Sequence, residues 1–127
     1  MLAALAALAA FPFLAGPDEA WWPDARASVL TFALTLLAMV AGVGSLALRE
    51  TLVRSLASGA LDPRSAEGEA RVGSVLLRAW GLCLVVALLG VCVAWVSAEP
   101  RRALAYDVGA AALLLFHAPH RPLPGRP

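Results

Sequence analysis

The sequence predicts an all-α chain built for a lipid bilayer, and three observations predict it. The composition is 61% hydrophobic and 15% charged, with a mean hydropathy of +0.77, whereas soluble domains carry about 45–50% apolar and about 25% charged residues. A compact soluble chain of 127 residues would leave much of that apolar surface facing water as aggregating patches. Residues 27–48 and 79–98 form two charge-free runs of the ~20 residues that an α-helix needs to cross about 30 Å of hydrocarbon. Neither run alternates as a barrel strand would, so peptide groups deprived of water must pair within each segment, as helix.

The expected architecture is an integral membrane four-helix bundle made of two antiparallel transmembrane hairpins. It forms a single domain over residues 1–118, with helices at about 1–16, 27–48, 75–98 and 100–118 and a flexible tail at 119–127. The first run starts at Met1 with no basic stretch ahead of its apolar residues. It reads as a retained, slightly short helix. A signal peptide cleaved near Ala25-Arg26-Ala27, or a chain whose true start lies upstream, are the other two readings. The following Gly16-Pro17-Asp18-Glu19-Ala20-Trp21-Trp22-Pro23-Asp24 combines turn residues with a tryptophan pair. Trp21 and Trp22 belong at a membrane–water interface as headgroup-level anchors.

The stretch 49–78 is the one sizeable polar region. Arg49, Arg54, Arg64, Arg71 and Arg78 alternate there with Glu50, Asp62, Glu67 and Glu69. Leu48, Leu52, Val53 and Leu56 fall on one stripe, Gly59 is placed to end a helix, and Asp62-Pro63 is placed to cap and open the next. Helical extensions with a turn between them are therefore expected. In the last helix Pro100 suits the first turn, and Arg101 and Arg102 can snorkel to headgroups. Pro119 then stops the helix, and Pro122, Pro124 and Gly125 mark the tail.

All ten basic residues are arginine, a bias, like that in Ala, Leu, Gly and Pro, that reads as a GC-rich genome. Arg49, Arg54, Arg64, Arg71, Arg78, Arg121 and Arg126 fall on one side of the expected bundle, and Arg26, Arg101 and Arg102 on the other. The arginine-rich side should be cytoplasmic, which puts both termini inside a bacterial inner membrane and Trp21, Trp22 and Glu99 outside. The formal net charge of +1 argues against a nucleic-acid partner, since such domains carry a clustered basic face and a high pI.

Chemistry within a bilayer needs an ionisable group at depth, and none lies near the middle of the second or third helix. The nearest are Arg78 and Asp107, the latter expected to pair with Arg101 or Arg102 at the outer interface. His117 and His120 stand three apart, but Pro119 interrupts the helix between them, and two histidines make no metal site. Cys83 and Cys92, half a helical turn out of phase, cannot bridge each other and read as small, buried, inert fillers. No phosphate loop, zinc-protease helix, nucleophile elbow or dinucleotide glycine pattern occurs. No catalytic, cofactor-binding or metal residue is therefore assigned, and no enzyme activity or cofactor is expected.

Close packing is the remaining signal. Ala38/Gly42 and Ala41/Ser45 are small-xxx-small pairs that let helix backbones approach, Ala57/Leu61 has the same spacing, and Gly81 and Gly90 read as internal packing points. The closing segment, from Gly90-Val91-Cys92 through Ala110-Ala111-Ala112-Leu113-Leu114-Leu115-Phe116-His117-Ala118-Pro119-His120-Arg121, resembles the end of a group of small bacterial inner-membrane proteins. Those proteins look like duplicated helical hairpins and are likened to the rotor-ring proteolipid of ATP synthases. The resemblance implies an oligomer of hairpins. Its mid-helix carboxylate is missing, because Leu84, Val85, Val86, Ala87, Leu88 and Leu89 precede Gly90.

The expected function is a non-catalytic structural or accessory membrane subunit. Its partners would be the lipid bilayer and a membrane protein or further copies of itself. The alternative is a small ion or proton conductor, working through Asp107 or as a proteolipid-like oligomer.

Overall fold

The structure, a computed structural model, describes residues 2–16 and 24–117. Four α-helices follow one another, α1 (Leu2–Ala15), α2 (Asp24–Ala57), α3 (Ala66–Ser97) and α4 (Arg101–His117), so the chain is all-α. Two of them, α2 and α3, are long and apolar enough to cross a membrane. Both run about 10 residues beyond their apolar stretches, through the charged region on either side of the turn at 58–65. The tryptophan pair Trp21–Trp22, His120 and the tail 119–127 lie outside the described residues.

The helices end where local chemistry ends them. Gly59, at φ +71°, takes the left-handed conformation that closes α2, and the Gly59 and Leu61 amides donate to the Leu56 and Ser55 carbonyls at 3.2 and 3.1 Å. That satisfies two of the carbonyls a helix end leaves open. The opening of α3 differs from the expected Asp62-Pro63 cap. Asp62 instead builds the preceding turn by accepting the Arg64 amide at 2.9 Å, and Ser65 is the N-cap, its hydroxyl accepting from the Gly68 amide at 3.0 Å. Proline restricts its neighbours before a helix, whereas a serine three residues before the Gly68 amide, which has no partner within the helix, has the reach to cap it. Pro12 lies within α1, where it lacks the N–H that would bond the Leu8 carbonyl.

The arrangement centres on α3, which packs against each of the other three helices. It forms one antiparallel hairpin with α2 and a second with α4. The expected pairing of helices one and two is corrected: α1 lies against α3 and α4 and makes no backbone approach to α2. Phe11 of α1 stacks on Trp95 of α3 with ring centroids 5.8 Å apart, and an aromatic stack of this size anchors α1 there. α2 and α4 run parallel and touch sparingly across α3.

The core is made of small side chains. Ala38, Ala41, Ala79, Cys83, Val86, Ala87, Ala94, Ala103 and Ala110 are buried, while Phe32, Leu36, Met39, Val40, Val43, Leu77, Val108 and Phe116 are exposed. Small residues at the seams let the backbones approach closely. Gly90 is the tightest of these points, since a Cβ there would stand 2.5 Å from the Tyr106 Cβ.

Candidate functional site

The buried residues of α4 are Ala103, Asp107, Ala110, Leu114 and His117, a four-three spacing that keeps one stripe turned inward. That stripe carries the two buried titratable side chains of α4, one a turn in from its start and one at its end. Asp107 is 8% exposed and His117 3%. Ten residues of helix separate them, about 15 Å, with Ala110 and Leu114 between.

Both oxygens of Asp107 are buried and without a hydrogen-bond partner. The expected pairing with Arg101 or Arg102 does not occur. Arg102 instead binds Glu99 in a bidentate pair, at 2.7 and 3.0 Å, and Arg101 is exposed. The reason is helical phase: Glu99 is three residues from Arg102 and shares its face, whereas Asp107 is five and six residues from the two arginines and points away from both. The guanidinium of Arg102 holds the exposed Glu99 carboxyl below its ordinary value.

Next to Asp107, Tyr106 turns toward α2. The Thr35 hydroxyl donates to the Thr31 carbonyl at 2.7 Å, which uses its single hydrogen, so in the 2.5 Å contact between Thr35 Oγ1 and the Tyr106 hydroxyl it is Tyr106 that donates. This pair fastens α4 to α2 near the α3–α4 turn.

A second polar layer lies at the other end. The Ser45 hydroxyl, fully buried, donates to the Gly42 carbonyl at 2.7 Å and has the Cys83 thiol beside it. The His117 ring reaches the Leu113 carbonyl with Nδ1 at 2.5 Å and the Ser45 carbonyl with Nε2 at 3.1 Å. The Arg49 guanidinium sits 4.2 Å above the Phe116 ring, a cation–π contact at the rim of the layer.

Between the two layers α2 and α4 leave an apolar groove of about 450 Å³, floored by Val86 and walled by Ala38, Met39, Gly42, Gly109 and Leu113. The pairs read as close-packing signals divide here. Ala38, Ala41 and Ser45 are buried at the seam, and Gly42 faces Leu113. Ala57 and Leu61 share no helix, because α2 ends between them.

Gly90 is an internal packing point, as read, but Gly81 is exposed with nothing within 4 Å of a Cβ there. Cys83 is buried and Cys92 is exposed, correcting the expectation that both are core fillers. Nine residues turn a helix by two and a half turns, so when Cys83 faces inward Cys92 must face out. Arg78 is exposed. No group of three or more metal-ligating side chains occurs among the described residues.

Sequence reasoning missed both interhelical polar layers. Thr31 and Thr35 at helical spacing were a visible signal, but which helix would bring Tyr106 to them was not. In comparisons with known proteins, no family model, curated protein or solved structure matches the chain.

Proposed function

We propose that the protein is a multi-pass membrane protein of the bacterial inner membrane, with all four helices within the bilayer, serving as a non-catalytic structural or accessory subunit. One observation carries this reading: the molecule is apolar on the outside and small on the inside. Its largest fully buried side chains are Val93, Cys83 and Ser45, while Phe32 and Val29 are 72% and 68% exposed. In water this distribution forfeits the main driving force of folding. In lipid it costs nothing, and small-residue seams then supply the packing that holds helices together. A helix buried in a soluble core would hide the apolar faces that α2 displays.

The length of α2 and α3, about 51 and 48 Å, exceeds the ~30 Å hydrocarbon layer. The excess falls at the arginine-rich hairpin end, which supports placing that end in the cytoplasm beside anionic headgroups, with both termini on the same side. Lipid contacts the outer face. A partner membrane protein or a further copy of the chain is the expected associate.

The second reading, a proton or cation conductor, is favoured by Asp107, because a buried carboxyl with no partner is costly unless it is used. Against it stands the interior between Asp107 and His117, where Ala87, Ala110, Leu114 and Cys83 leave no polar relay. Two measurements test the readings. Washing membranes with alkaline carbonate should leave the protein in the pellet, and its release would overturn the membrane assignment. Liposomes carrying the purified chain should show no proton or cation flux above empty vesicles. A flux abolished by Asp107→Asn would establish the conductor instead.

A further inference from the structure

The groove between α2 and α4 has a shape that selects its occupant. It holds about 450 Å³ over a floor at Val86 of α3, within the range of pockets that bury small organic ligands, about 300–1,000 Å³. α2 and α4 touch at both of its ends, at Thr35–Tyr106 and at Ser45–His117. These contacts leave no room between the two helices for a further helix, roughly 10 Å across. A hydrocarbon chain is narrow enough to lie there. The walls are low, with Ala38 and Gly42 on α2 and, on α4, Gly109, where a Cβ would meet nothing within 4 Å.

The line of the groove continues to a cation. Arg49 follows Gly42 by two helical turns and Phe116 follows Leu113 by three residues, so each stays on the groove-facing stripe of its helix. There the Arg49 guanidinium lies 4.2 Å over the Phe116 ring, joining the two walls at the arginine-rich end. Among the described residues no carboxylate pairs with Arg49, and the neighbouring Glu50 is taken by Arg54 at 2.9 Å. A guanidinium stacked on a ring by its face keeps its N–H edge free, and that edge matches two oxygens of a phosphate.

We infer that this groove is a site for one anionic phospholipid of the arginine-rich leaflet, an inference that rests on the membrane reading above. The phosphate sits on Arg49, and one acyl chain lies between α2 and α4. The stretch 49–78 carries five arginines against four carboxylates, which leaves one positive charge for an anionic headgroup to balance.

The dimensions agree with one leaflet. Arg49 comes directly after the charge-free run 27–48 and so stands at headgroup level. The ten residues of helix from Arg49 back to Met39 cover about 15 Å, half of the ~30 Å hydrocarbon layer. A chain descending from Arg49 therefore ends at the midplane among Ala38, Met39 and Val86. Ser45 and His117 are buried, so their contact lies at the depth of the floor and the chain passes over it. Tyr106, bonded to Thr35, stands across the far end.

The test uses the full-length chain purified in detergent and titrated with phosphatidylglycerol or, as a net-neutral control, phosphatidylcholine, with bound lipid read by native mass spectrometry. Wild type and Arg64→Gln, which alters an exposed arginine of the α2–α3 turn, should each hold one phosphatidylglycerol and hold phosphatidylcholine more weakly. Arg49→Gln should bind phosphatidylglycerol about tenfold more weakly, the scale of one lost charge-assisted hydrogen bond. Gly109→Leu, which fills the groove, should abolish retention. Equal binding of the two lipids, equal losses in Arg49→Gln and Arg64→Gln, or no loss in Gly109→Leu would each overturn the site. So would a wild-type dimer lost in Gly109→Leu, which would give the groove to a second copy of the chain. Should a variant fail to fold, wild type decides alone. Phosphatidylglycerol with a photoreactive group at mid-chain should crosslink near Gly42 and Leu113, and crosslinks confined to the outer residues Val40, Leu77 and Val108 would overturn the site. Protein that stays in the carbonate-washed pellet but shows no lipid site refutes the groove alone, whereas release from the pellet overturns the membrane reading and the site with it.

Discussion

Gly90 and Gly81 lie nine residues apart on α3 and separate at the residue scale into a seam position and an outer one. A Cβ at position 90 meets the Tyr106 Cβ and Cγ at 2.5 and 2.9 Å, atoms held close to the α4 backbone, whereas one at position 81 meets nothing within 4 Å. Gly90→Ala should therefore destabilise the fold by about 1–3 kcal/mol, the usual cost of overpacking, and Gly81→Ala should be neutral or slightly stabilising. Thermal unfolding of the pair in one detergent checks this. At Asp107 the carboxyl is buried without a partner, and removing a buried polar group that has no hydrogen bond relieves its desolvation cost. Asp107→Val should accordingly stabilise the protein by about 1–3 kcal/mol. A fall in the unfolding midpoint would mean that the carboxyl has a partner after all.

At the scale of elements, the two turns use different chemistry for the same task. The α2–α3 turn closes α2 with Gly59 at φ +71°, but the α3–α4 turn closes α3 with Ala98 at φ +52°. The Ala98 amide bonds back to the Ala94 and Trp95 carbonyls, so the left-handed conformation is needed there although alanine pays a steric penalty for it. Ala98→Gly should stabilise the hairpin by about 1 kcal/mol, the strain removed exceeding the added backbone freedom. Equal or lower stability of the variant in a denaturant titration would show that the turn is not strained. The bidentate Glu99–Arg102 pair spans the same turn, tying the entry of α4 to the exit of α3.

For the whole molecule, the hairpin ends point to opposite sides of the proposed bilayer. The turn at 58–65 lies at the end bearing Arg49, Arg54, Arg64, Arg71 and Arg78, and the turn at 98–100 at the other. In a background of Cys83→Ala and Cys92→Ser, single cysteines are introduced as Ser65→Cys and Glu99→Cys. An impermeant thiol reagent applied to intact cells should label position 99 and spare position 65 if arginine distribution sets the topology. The reverse result would mean that Arg101 and Arg102 govern. Labelling of both would mean that α3 does not span.

The helices themselves were legible because they depend on local features. Charge-free runs, Gly59 and the spacing of the arginines act within a few residues, and a charge-free run of about 20 residues without barrel alternation is read as helix once a bilayer is taken as its solvent. The extensions of α2 and α3 through the charged stretch were legible for the same reason. What the sequence could not reveal was which faces meet. Small residues are abundant in every helix, so Ala38/Gly42, Gly81 and Gly90 looked alike until rotation and register separated the seam from the outer surface. Helix phase put Cys83 inside and Cys92 outside, and turned Asp107 away from the arginines beside it in sequence. The pairing of α1 with α3 and α4 instead of α2, the Thr35–Tyr106 contact and the His117 bridge join residues as many as 72 positions apart. Such contacts depend on the three-dimensional packing of α3 against all three neighbours, which no local pattern encodes. The sequence by itself determined an all-helical chain with an apolar exterior; only the tertiary structure decided which polar groups are paired across its interior and that the Asp107 carboxyl is left without a partner.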